Sequence, residues 1–72
     1  MTKQIDIKEL IPFIKDGWVA MDKCGEWYWH ATKPERFRIC WDSEYSVCLN
    51  DIFDIAPADD WTKSLIKVEG GD

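Results

Sequence analysis

The sequence predicts an α+β domain, with one N-terminal helix packed on a four-stranded antiparallel β-meander and a short helix or turn near the C-terminus. Three observations carry this reading. Residues 7–14 repeat apolar side chains at helical spacing. Residues 18–49 alternate with a period of two instead. Two candidate hairpins, each read on its own turn, place their large apolar groups on one shared face.

The helix is expected over residues 6–16. Ile7, Leu10, Ile11 and Ile14 stand at i, i+3, i+4 and i+7 and form one apolar stripe. Asp6 is a good N-cap, Glu9 three residues later completes a box-like pattern, and Ile5 is placed to staple onto Leu10. Pro12 conflicts with this. It removes the backbone bond to Lys8, so a kink or a split into two turns is expected. Asp16-Gly17 then closes the element.

Residues 18–22 and 26–31 read as strands around Lys23-Cys24-Gly25, a three-residue loop ending in a left-handed glycine. That register sets Met21 opposite Trp27 and Val19 opposite Trp29. Thr32-Lys33-Pro34-Glu35 connects to a second expected pair, 36–41 and 45–49, around Asp42-Ser43-Glu44. It would set Trp41 opposite Tyr45, Ile39 opposite Val47 and Phe37 opposite Leu49; a shorter loop would mix the faces. The expected core face is then Val19, Met21, Trp27, Trp29, Ala31, Phe37, Ile39, Trp41, Tyr45, Val47 and Leu49, with the helix stripe as its lid.

After Ile52, Phe53 and Ile55, an edge strand or apolar turn, Ala56-Pro57-Ala58 breaks the pattern. Asp59 or Asp60 can cap a short helix over residues 61–65, placing Trp61 and Leu65 on the core. Residues 68–72 read as a frayed tail.

The chain of 72 residues makes a single domain, 1–72, with one core. Five tryptophans compensate for the small size, since each can bury roughly 150–250 Å². No stretch approaches the length of a membrane span, and the polar N-terminus lacks the apolar region of a signal peptide. Three cysteines make a poor disulfide framework, so a reduced, cytoplasmic setting is expected.

The net charge of −5 is uneven. Residues 1–34 balance five acids against five lysines, whereas residues 42–60 carry six acids and no Lys or Arg. This argues against direct nucleic-acid binding, which needs a basic footprint, and suits a basic or nucleic-acid-binding protein partner. The simpler reading is an acidic surface that keeps a small domain soluble.

Trp18, Ala20, Tyr28, His30, Arg36, Arg38, Cys40 and Cys48 fall on the second sheet face. Uncovered, that face has the composition of an interface hot spot; the C-terminal segment is the expected cover if one exists. Cys24, His30, Cys40 and Cys48 supply four zinc-ligand types, but with gaps of five, nine and seven residues rather than two close pairs. Ordinary free cysteines fit better, and no cofactor is expected. His30 with Cys40 is the one pairing that offers a nucleophile and a base, with nothing to orient the histidine and no oxyanion donor. Asp51, Asp54, Asp59 and Asp60 lack the alternating ligands of a calcium loop.

Gly17-Trp18-Val19-Ala20-Met21-Asp22, Gly25-Glu26-Trp27-Tyr28-Trp29 and the closing Asp59-Asp60-Trp61-Thr62-Lys63-Ser64-Leu65-Ile66 resemble small uncharacterised phage- and prophage-encoded proteins of enteric bacteria. The resemblance implies no catalytic residue and no cofactor. It implies a protein that binds a host protein and alters or blocks it.

The expectation is therefore a non-enzymatic protein-binding module, a modulator or inhibitor of a host protein or defence complex. Trp18, Tyr28, His30 and Arg38 are the first expected contact patch, and Asp42, Glu44, Asp51 and Asp54 the second. The alternatives are an assembly protein that dimerises through the aromatic second face, and a small zinc-binding domain.

Overall fold

The computed structural model describes residues 3–69. It is an α+β fold of one short helix, a four-stranded antiparallel sheet and a separate two-stranded ribbon.

Helix α1 spans Ile7–Leu10. Asp6 caps it as the sequence indicates, its Oδ1 accepting from the Lys8 N–H at 2.9 Å. Pro12 has no N–H to give, and the chain tightens into a single 3₁₀ turn over Ile11–Phe13. The split into two turns is as expected. The end comes earlier than Asp16-Gly17, because Ile14 is already extended (φ −102°, ψ 144°). Ile5 bridges Ile55 in parallel, with its N–H donating to the Asp54 carbonyl at 2.8 Å, and packs against the core cluster that contains Leu10.

Strands β1 (Gly17–Met21) and β2 (Trp27–His30) form the predicted hairpin in the predicted register. Gly25 turns the loop at φ +94° with open space around it, so its requirement is conformational. Gly17 is needed for another reason. A Cβ there would lie 2.5 Å from the His30 carbonyl oxygen.

The second half departs from the meander. Residues 36–41 do not join the sheet: β3 (Glu35–Arg36) and β4 (Trp41–Asp42) pair with each other around a tight turn closed by the Phe37 N–H on the Cys40 carbonyl at 2.7 Å. We call this ribbon the finger. β5 (Ser46–Cys48) pairs directly with β2, Val47 opposite Trp29. The physical reason is that alternation fixes which face a residue occupies but not which strand lies beside it. Val47 lies opposite Trp29 on the core side of the sheet but outside the core cluster, whereas Ala31, Phe37, Ile39 and Tyr45 are exposed. Trp41 is half-buried.

The C-terminal segment supplies the fourth strand, β6 (Ile66–Val68), which pairs with β1 and completes the order β5-β2-β1-β6. The frayed-tail expectation is corrected at Val68, which is 1% exposed; residues 70–72 lie outside the described residues. The expected helix over 61–65 is a 3₁₀ turn, Trp61–Lys63, capped by Asp60.

Ile7, Leu10, Val19, Met21, Trp27, Leu49, Ile55 and Val68 form the buried core on one sheet face, so the helix is the lid the stripe predicts. Polar groups inside it are paired. Trp27 Nε1 donates to the Ala56 carbonyl at 3.0 Å, and the buried Ser64 hydroxyl accepts from the Met21 N–H at 2.8 Å.

Candidate functional site

The centre of the second sheet face is buried, and the finger is tied to that face by hydrogen bonds. Ala20 and His30 on that face are 0% and 1% exposed. Four hydrogen bonds hold the finger and its base in place. The Lys23 N–H donates to the Ile39 carbonyl at 3.0 Å, and the Trp41 N–H to Asp22 Oδ1 at 2.9 Å. Trp41 Nε1 reaches the Trp61 carbonyl at 3.1 Å, and Ser43 Oγ stands 2.8 Å from His30 Nδ1. Arg36 lies over the Trp61 ring, 6.0 Å from its centroid.

The first expected patch is therefore not one surface. His30 is buried and braces the finger from beneath, so it is unavailable to a partner. Ser43 Oγ donates its one proton to the Tyr45 carbonyl at 3.0 Å, so it accepts from His30, which assigns the proton to Nδ1. His30 Nε2 is then a buried acceptor with no partner among the described residues. Burial lowers the His30 pKa below its ordinary value, against the opposing pull of the Asp42 carboxylate. Tyr28 is half-buried, and burial first, then its contact with Cys48, pushes its hydroxyl up to about 12. Trp18 is half-exposed, with Lys33 Nζ and Lys67 Nζ 5.7 and 5.8 Å from its ring. Arg38 is exposed at the finger tip.

The acidic set also divides. Asp42 and Glu44 line a cleft of about 400 Å³ beside the finger together with Lys33 and Phe37. Asp51 lies in the 3₁₀ turn after β5, and Asp54 accepts from Gln4 Nε2 at 3.2 Å where the N-terminal segment crosses. Among the described residues the only ion pair is Lys67 with Glu69 at 3.5 Å, so these four carboxylates stand without a salt bridge.

The zinc set is not gathered. Among the described residues no group of three or more potential ligands lies close enough to hold a metal. Cys24 is exposed, with its thiol 3.6 Å from Glu26 Oε1, and Cys40 and Cys48 are half-buried free thiols. Burial first, then Asp22 and Asp42, raises the Cys40 pKa, which disfavours the thiolate that nucleophilic chemistry requires.

Sequence reasoning missed the finger tip. Phe37 and Ile39 are 51% and 64% exposed on either side of Arg38. The available signal was Pro34, which is buried and sits immediately before β3, where it interrupts any continuous ladder. Comparison with protein-family models, curated proteins and solved structures finds no match to this chain.

Proposed function

We propose that this protein is a non-enzymatic protein-binding module whose principal contact element is the finger. The observation that carries the reading is the exposure of Phe37 and Ile39 around Arg38 on a ribbon fixed to the sheet. Large apolar side chains beside an arginine are the composition of an interface hot spot. A ribbon already held by backbone and side-chain hydrogen bonds loses little conformational freedom on binding. The raised Cys40 pKa and the engagement of His30 with Ser43 support a role without catalysis.

The resemblance to phage and prophage proteins supports a host protein as the partner, with modulation or inhibition as the result. Three free cysteines support a reducing, cytoplasmic setting. No helix among the described residues is long and apolar enough to cross a membrane. Dimerisation through the aromatic second face would have to use what stays open there, the partly exposed Trp18 and Tyr28, since Ala20 and His30 are buried.

The test is affinity capture from enteric bacterial lysate with the tagged protein and a Phe37→Ser/Ile39→Ser variant, both checked for folding by circular dichroism. Loss of one specific host protein with the variant supports the reading. An unchanged captured set sinks it.

A further inference from the structure

We infer that the free edge of β5 accepts an extended basic segment of a partner protein as a fifth strand of the sheet. The inference extends the binding-module reading to a second surface, away from the finger tip.

Among the described residues β5 is one of the two edges of the sheet. The Ala31 N–H donates to the Tyr45 carbonyl at 3.2 Å, which sets the phase of the ladder. In an antiparallel pair alternate residues turn their backbone groups toward the neighbour. Tyr45 and Val47 therefore face β2, while the N–H groups of Ser46 and Cys48 and the Ser46 carbonyl face outward. The two edges differ in protection. β6 carries Lys67 in an ion pair with Glu69, the kind of charge that discourages pairing. Ser46-Val47-Cys48 carries none.

The flanks indicate what the edge would take. On the core side Ile14, Trp29, Val47 and Leu49 line an apolar notch of about 190 Å³, with Lys15 the one cation lining it. Tyr45, 60% exposed, stands at the start of the strand with its ring edge-on to Trp29 at 6.1 Å. Exposed Asp42 and Glu44 precede the strand and exposed Asp51 follows it, within the 42–60 stretch that has no Lys or Arg. An added strand alternating apolar and basic residues would set its apolar side chains against the notch and bring cations to acids at both ends.

The test is an amide NMR titration of the labelled full chain with a short peptide of alternating lysine and valine, beside its glutamate–valine counterpart. The lysine peptide is expected to shift the Ser46 and Cys48 amides saturably and slow their exchange, and the glutamate peptide to do neither. Glu44→Lys/Asp51→Lys, which changes only exposed side chains, is expected to weaken binding about tenfold. Cys48→Pro removes an outward N–H at a residue whose φ of −74° already suits proline, and is expected to abolish binding. Three results would overturn the inference: unprotected Ser46 and Cys48 amides, an equal response to both peptides, or protection that grows with protein concentration in the absence of peptide. The last would assign the edge to a second copy of the chain. None of these outcomes bears on the finger, whose Phe37 and Ile39 are untouched.

Discussion

Ser43 Oγ accepts from His30 Nδ1 at 2.8 Å, and that contact holds the base of the finger to the sheet. Since Ser43 also donates to the Tyr45 carbonyl, one hydroxyl joins β2, the end of the finger and the start of β5. Ser43→Ala leaves a buried imidazole N–H without an acceptor, which costs about 1–3 kcal/mol. The expected outcome is a lower melting temperature together with faster exchange of the Trp41 amide, which lies in the finger. An unchanged Trp41 exchange rate would mean the hydroxyl does not anchor the finger.

His30 sets a direction for pH dependence. Burial holds its pKa below the ordinary value near 6.5, so the folded state favours the neutral ring. The unfolded chain binds the proton first, and stability falls as the pH drops below about 6.5 toward the lowered folded value. Asp22 works in the opposite sense at lower pH. Its carboxyl is held above its usual range, by burial more than the Trp41 N–H offsets, so protonating it relieves a cost of folding. Urea denaturation at pH 7.5 and 5.5 is expected to show lower stability at the acidic value, before most carboxylates titrate. The His30 ring signals are expected to titrate below the ordinary histidine range. A free-histidine titration would contradict the buried, Nδ1-protonated ring.

The elements read correctly from sequence are those whose information is local. Asp6 caps the helix because its carboxylate and the Lys8 N–H are two residues apart. Met21 lies opposite Trp27 because Gly25 closes a short loop between them. The failures are failures of partner choice. Val47 was assigned the right face and the wrong neighbour, since nothing in Ser46-Val47-Cys48 distinguishes β2 from a strand at 36–41. The aromatic face was legible as a set of residues, but not that the finger is tied to it through Ser43, while Ile55 enters the core and Phe53 and Trp61 pack against the core. Of the expected contacts, His30 was lost to burial, and Arg38 was placed at the tip.

The two glycines of the first hairpin predict separable costs. Gly17→Ala places a Cβ 2.5 Å from the His30 carbonyl oxygen, so the β1–β2 backbone must shift, at about 1–3 kcal/mol. Gly25→Ala meets nothing, and its cost of about 1–2 kcal/mol comes from the backbone conformation at φ +94°. A D-alanine introduced at position 25 by chemical synthesis is expected to recover or exceed the parent stability, because positive φ suits it. Chemical denaturation of the three proteins separates the two causes. Equal losses for L- and D-alanine at position 25 would show that φ is not the constraint.

The last strand decides whether the C-terminal residues belong to the fold. Val68 is 1% exposed, sits opposite Gly17 and joins the core cluster, while Lys67 beside it reaches out over Trp18. Removing two methyl groups from that site costs about 2 kcal/mol, by lost burial and by the cavity left beside residues that cannot close it. Val68→Ala is therefore expected to lower the denaturation midpoint clearly, and Lys67→Ala, which removes an exposed side chain, to change it by less than about 0.5 kcal/mol. Hydrogen exchange adds a second reading. Ile66 and Val68 pair with the central strand β1, so slow exchange of β1 amides in the parent should quicken in Val68→Ala. If Val68→Ala instead matches Lys67→Ala in both measurements, β6 is not a structural strand and the sheet ends at β1.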